Sequence, residues 1–228
     1  MTPGPSNRTL DIACAVVGVL ALGLGLLTVL SFPLTAELPA GFRTPIIAFE
    51  FAAAESDLSY LAGGGAIETA NRAKMEAGMR WDMAFPFAYA GFLLLLLLQL
   101  VQAGQRLALI GIPFAVLIVP LDINENISLL RIIEALGAGE MAVELLPGLH
   151  RATWLKWGAI AVAIALFALG LMRTRAYWSA VLSGMAALTI VFCWISGSNP
   201  VIAETMSIIL SIFFLVFGIN SCLKLRVR

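Results

Sequence analysis

The sequence predicts an all-α integral membrane protein: a six-helix transmembrane bundle with additional outer-side helices in two long connections. Three observations predict it. The chain of 228 residues is 61% hydrophobic and only 12% charged, which is too little polar surface for a soluble chain of this length. Six apolar stretches, near 11–31, 82–102, 106–126, 154–172, 176–196 and 200–222, have the ~20 residues that a bilayer core requires, the third only when its polar end is included. They leave no room for a separate soluble domain, so residues 1–228 read as a single transmembrane domain. Lastly, the charges segregate by side. With the N-terminus inside, the inner side receives Arg8, Arg106, Arg173, Arg175, Lys224, Arg226 and Arg228, and its only acid is Asp11. The outer side holds the other seven basic residues and thirteen acids. Cytoplasmic loops favour Lys and Arg, so both termini are expected in the cytoplasm and the long connections outside the cell membrane. Trp81, Trp154 and Trp157 then open outer ends, Trp194 closes one, and Tyr177 and Trp178 mark an inner end.

Taken in order, the first span follows Arg8. Its apolar run from Ile12 to Leu30 exceeds the ~7–15 residues of a signal-peptide core, so it reads as a retained helix. Gly18, Gly23 and Gly25 suit close helix packing. In the connection over 32–81, Thr44-Pro45 has the form of an N-cap followed by proline at the first helical position. Ser56 is placed to cap a further turn that stops at Gly63-Gly64-Gly65, and residues 66–80 are helix formers that run on into the second span. Leu93–Leu98 are lipid-facing or packed. The third span ends in a polar stretch, and the second long connection, 127–153, also reads as helical. Small residues from Ser179 to Ala187 suit close packing in the fifth span, and Ser196-Gly197-Ser198-Asn199-Pro200 makes a tight turn into the sixth.

Several chemistries are disfavoured at once. Cys14, Cys193 and Cys222 fall in or at the ends of spans, and an odd number in apolar surroundings reads as small core residues rather than disulfides. The single histidine, His150, argues against histidine-rich metal chemistry. No phosphate loop or dinucleotide fingerprint is present, and no nucleic-acid partner is expected. Asn7-Arg8-Thr9 and Asn126-Ile127-Ser128 match the glycosylation pattern, the second too close to the membrane for easy modification.

Three places put carboxylates where water is scarce. On a helix, Glu50 has Ile46, Ile47, Ala53 and Ala54 as neighbours three and four residues away, so it needs a partner such as Arg43, a route to the surface, or a raised pKa. Asp82 precedes Pro86, whose ring nitrogen cannot donate to the Asp82 carbonyl, so the helix is expected to kink there and free backbone acceptors. Tyr89 lies on the same face, one step deeper. The competing reading of Asp82 is a helix cap or a local pair with Arg80. Asp122, Glu125 and Asn126 share one face at i, i+3, i+4. The apolar helix before them, Leu107 to Leu121, is ~22 Å long at 1.5 Å per residue, so they fall within the outer margin of the hydrocarbon. Ionisable groups there cost on the order of 2.5–3.5 kcal/mol each and are normally turned inward, paired or used. Glu204, just after Pro200, reads as an acid favoured by the helix dipole.

The segments IIAFEFA, WDMAFPFAYA and PLDINENI, spread over residues 46–126, resemble a family of uncharacterised bacterial polytopic membrane proteins. The resemblance implies a bacterial inner-membrane protein and attaches no activity, cofactor or substrate. It picks out the same acids.

Two functional readings and a structural one follow. In the first, an outward-facing carboxylate pocket acts by acid–base chemistry on a lipid or other apolar small molecule. Glu50 would be the protonated acid and Asp122 or Glu125 the ionised partner, with Asp82 also catalytic and Tyr89, Asn126 and Arg80 contacting substrate. A carboxylate-bound magnesium or calcium ion is a variant of this reading. In the second, the acids carry protons or cations through a transporter or binding subunit, which at six spans would work as a homodimer. Against it, the inner half of the chain offers no acids to complete a pathway, and amides such as Gln99, Gln102 and Asn220 near the inner ends do not replace them. In the third, an accessory scaffold uses its acids only to hold helices together.

Overall fold

The computed structural model describes residues 8–226; Asn7 of the first glycosylation triplet and Arg228 of the basic tail lie outside them. The described residues form eight α-helices: α1 (Arg8–Ser31), α2 (Pro45–Glu50), α3 (Ala66–Asp82), α4 (Phe85–Gln102), α5 (Ala108–Gly137), α6 (Leu146–Arg173), α7 (Tyr177–Ile195) and α8 (Pro200–Arg226). Among the described residues there is no strand. Among the same residues, six helical stretches are long and apolar enough to cross a membrane, with α3 and α4 together making one of them. The protein is an all-α polytopic membrane protein.

The six stretches form a closed ring in the order α1, α4, α5, α6, α7, α8 and back to α1, while α3 leans on α1 and α5. One end, called here the terminal end, carries the start of α1, the finish of α8 and the two short turns after α4 and α6. The other, the loop end, carries everything between α1 and α4, between α5 and α6, and the turn before α8.

Small residues let the helices approach at the terminal end. A methyl group added at Gly18 would meet the Phe92 ring at 2.9 Å, one at Gly111 would meet Leu97 at 2.9 Å, and one at Gly218 would meet Leu22 at 2.9 Å. Gly23, by contrast, faces nothing within 4 Å and packs no helix. Phe92, Leu93, Leu97, Phe167, Phe213 and Phe217 fill this half with an apolar core.

The loop end is longer and more ordered than the hydropathy suggests. α5 carries Pro113 and Pro120 in its interior and continues eleven residues past Asn126, to Gly137. α6 starts at Leu146, eight residues before the apolar stretch does. Pro45 does open a helix after Thr44, but Ser56 caps nothing. A short 3-10 helix, Glu55–Leu58, is held by Asp57, whose Oδ2 accepts the Ala53 and Ala54 amides at 2.9 Å each. Arg72 donates to the carbonyls of Leu61 at 2.5 Å and Gly63 at 2.7 Å, and Asn71 donates to that of Tyr60 at 2.9 Å. The Tyr60 hydroxyl donates in turn to the Pro45 carbonyl at 3.1 Å, and burial pushes its phenol well above the usual tyrosine range.

Candidate functional site: a polar cluster beside an apolar cavity

The face predicted for α5 is turned inward as a unit: Asp122 is 4% exposed, Glu125 0% and Asn126 0%. Ile127, on the opposite side, is 40% exposed. Three other elements bring side chains to this face. α2 delivers Glu50 and the end of α3 delivers Asp82, both buried, while α4 supplies Tyr89. The predicted acids therefore meet.

What joins them is Lys156 on α6, which the sequence reading overlooked. Its Nζ donates to Glu50 Oε1 at 3.0 Å and makes an ion pair with Glu125 Oε2. It also sits over the Trp157 ring, 4.6 Å from the centroid. The Trp157 indole donates to Glu50 Oε2 at 3.0 Å, so Trp157 faces the protein interior rather than anchoring at the interface. Both Glu50 oxygens are acceptors, and the partner is Lys156 where Arg43 was expected. Lys156 was legible by the test applied to Glu50. Its helical neighbours are Ala152, Thr153, Ala159 and Ile160, and a lysine so placed must find an anion.

Around this centre the remaining groups pair closely. The Tyr89 hydroxyl donates to Asp122 Oδ2 in a buried hydrogen bond. Met83 and Ala84 interrupt the helix between α3 and α4, so Pro86 falls in the first turn of the new helix, where its missing N–H costs nothing. The backbone acceptor expected to be freed there is taken up by Asn126, whose Nδ2 donates to the Asp82 carbonyl at 3.2 Å. Buried and bonded this way, Asn126 offers no glycosylation site. Arg80 is exposed and does not reach the cluster, and neither Glu125 nor Asn126 lines the cavity described next.

That cavity, of about 430 Å³, lies between α1 and α8 and runs to the cluster. Its walls are mostly apolar, including Leu22, Leu26, Val29, Phe85, Leu210 and Phe214. Its polar end presents Glu50, Asp82, Tyr89, Asp122, Lys156 and Trp157. Thr44, Ile46 and Ile47 line it from the α2 side. Glu204 holds that side in place: its Oε1 accepts the Arg43 and Thr44 amides at 2.8 Å each, and its Oε2 accepts the Thr44 hydroxyl at 2.7 Å. Glu204 is therefore a clamp between α8 and the α2 approach, a role beyond the helix-dipole reading.

Among the described residues no group of three His, Cys, Asp or Glu side chains converges as a metal-holding set. The point on which Glu50 and Glu125 converge is filled by the Lys156 ammonium. No family model, curated protein or solved structure matches the chain, so its function must be argued from this geometry.

Proposed function

We propose that this is a membrane-embedded enzyme that takes an amphiphile into the loop-end cavity and moves a proton at its polar head. The observation that carries the reading is one apolar cavity of drug-sized volume with two aspartates from different helices, Asp82 and Asp122, at its polar end. A pair of carboxyls facing one substrate is the arrangement general acid–base catalysis needs, one accepting a proton while the other returns one. In this scheme Tyr89 orients Asp122. Glu50 and Glu125 hold Lys156, which moves the acid role first given to Glu50 onto the aspartates. Four carboxyls and one ammonium cannot all stay ionised in a buried site, so the cluster holds exchangeable protons. The acid-rich loop end is the outer one by its charge balance.

The transporter reading finds less support. The terminal half between the cluster and the partly buried pair of Asp11 with Gln99, 3.0 Å apart, is filled mainly by aromatic and leucine side chains. The scaffold reading would leave Asp82 and Asp122 facing a cavity to no purpose.

The test is to incubate the purified protein with a total bacterial lipid extract and follow lipid species by mass spectrometry. At least one species should be converted by the wild type and by neither Asp82→Asn nor Asp122→Asn, both remaining folded. Identical lipid profiles with all three proteins would refute the enzyme reading.

A further inference from the structure

The cavity wall continues onto the exposed, membrane-facing surface. Leu26 and Val29 on α1 and Leu215 on α8 line the cavity and are 60%, 45% and 47% exposed. Below them the same two helices touch, since a methyl group at Gly218 would lie 2.9 Å from Leu22 and 3.9 Å from the Gly18 carbonyl oxygen. The pair therefore parts only toward the loop end, and α2 lines that end. A molecule reaching the polar groups along this opening comes sideways, out of the lipid.

Two observations limit what its head can be. Among the described residues Lys156 is the only cation that lines the cavity, and its charge is already taken by Glu50 and Glu125. An anionic head would thus meet Asp82 and Asp122 without a free cation to pair with. Separately, the Thr28 hydroxyl on α1 is buried, lines the cavity and has no hydrogen-bond partner. Buried hydroxyls are almost always bonded, so one left over in a cavity wall points to a ligand group that completes it.

We propose, building on the amphiphile reading above, that the cavity admits amphiphiles laterally between α1 and α8. It selects a head that donates hydrogen bonds and carries no negative charge, such as a long-chain alcohol or amine, and rejects phosphate heads. The carboxylates accept from the head, and the Thr28 hydroxyl completes its contacts.

The experiment uses the full chain in nanodiscs of zwitterionic phospholipid, with Trp81, Trp154, Trp178 and Trp194 replaced by Phe so that Trp157 at the cavity reports alone. Three probes of one chain length are titrated: an alkyl alcohol, an alkyl amine and an alkyl phosphate, each brominated beside the head. The alcohol or the amine should quench Trp157 saturably, with the phosphate at least about tenfold weaker. Phosphate binding as tight as the better of the other two would overturn the head-group selection. Absence of saturable quenching by all three would overturn the amphiphile reading beneath it. Thr28→Val should weaken the better probe about threefold to tenfold, and an unchanged affinity counts against the role given to that hydroxyl. Gly25→Leu, at the cavity wall, should abolish quenching, while Gly23→Leu, which faces nothing within 4 Å, should leave it intact. Equal behaviour of these two would overturn the lateral route.

Discussion

The two ends of this bundle are held together by different physics. At the terminal end, glycines on α1, α5 and α8 receive phenylalanine and leucine side chains, and among the described residues the hydrogen bonds across helices there are few: Gln99 with Asp11, and the Cys14 thiol with Ser221 at 3.5 Å. At the loop end, charged side chains from four helices share one buried network, backbone amides of the connections are tied down by Glu204 and Asp57, and backbone carbonyls by Arg72. In a membrane, apolar packing alone suffices to hold helices. A buried ionic network therefore calls for a reason beyond cohesion, and the adjoining cavity supplies one.

The sharpest way to break this contrast is Lys156→Met, close in volume but uncharged. It strands two buried carboxylates and should cost about 3–5 kcal/mol of unfolding free energy in mixed micelles. Adding Glu50→Gln and Glu125→Gln should recover part of that loss, because neutralising a whole buried set is far cheaper than removing one member. If the triple variant is no more stable than the single one, the network is not ionic in the sense described.

Steric change at the terminal end comes next. Gly218→Ala and Gly18→Ala should each destabilise by about 1–3 kcal/mol through overpacking, whereas Gly23→Ala should be neutral or slightly stabilising. Glu204→Gln should cost about 1–2 kcal/mol, since it weakens charge-assisted bonds to two amides and a hydroxyl. It should also raise proteolysis between residues 33 and 44. Smaller still is Gln99→Leu, which removes the terminal end's partly buried amide and should shift stability by no more than about 1.5 kcal/mol. Arg80→Ala, exposed and outside the network, should stay within about 0.5 kcal/mol.

Much of this was legible in the chain. The six spans follow from apolar length alone, and the inward face of Asp122, Glu125 and Asn126 follows from helical periodicity, because both signals are local. The Asp82 region was half legible. Pro86 announced a freed carbonyl, but only the fold shows that Asn126, 44 residues away, takes it. Lys156 was missed because a lysine near Trp154 at the start of a span looks like an interface residue reaching for water. Its small and apolar helical neighbours signalled burial, but which anions it meets depends on α2 folding back over it, which no local pattern encodes. Ser56 lost the capping role to Asp57, whose carboxylate reaches two amides at once. The clamp between Glu204 and Thr44 spans 160 positions, and nothing in either segment names the other.

The most direct measurement is labelling by a hydrophobic carbodiimide delivered through the lipid, which reacts with carboxylic acids it can reach from the bilayer, followed by peptide mass spectrometry. A cavity opening between α1 and α8 predicts adducts on Asp82 or Asp122, suppressed by a long-chain alcohol, with Glu125 unmodified. Labelling confined to the exposed acids of the connections would contradict it.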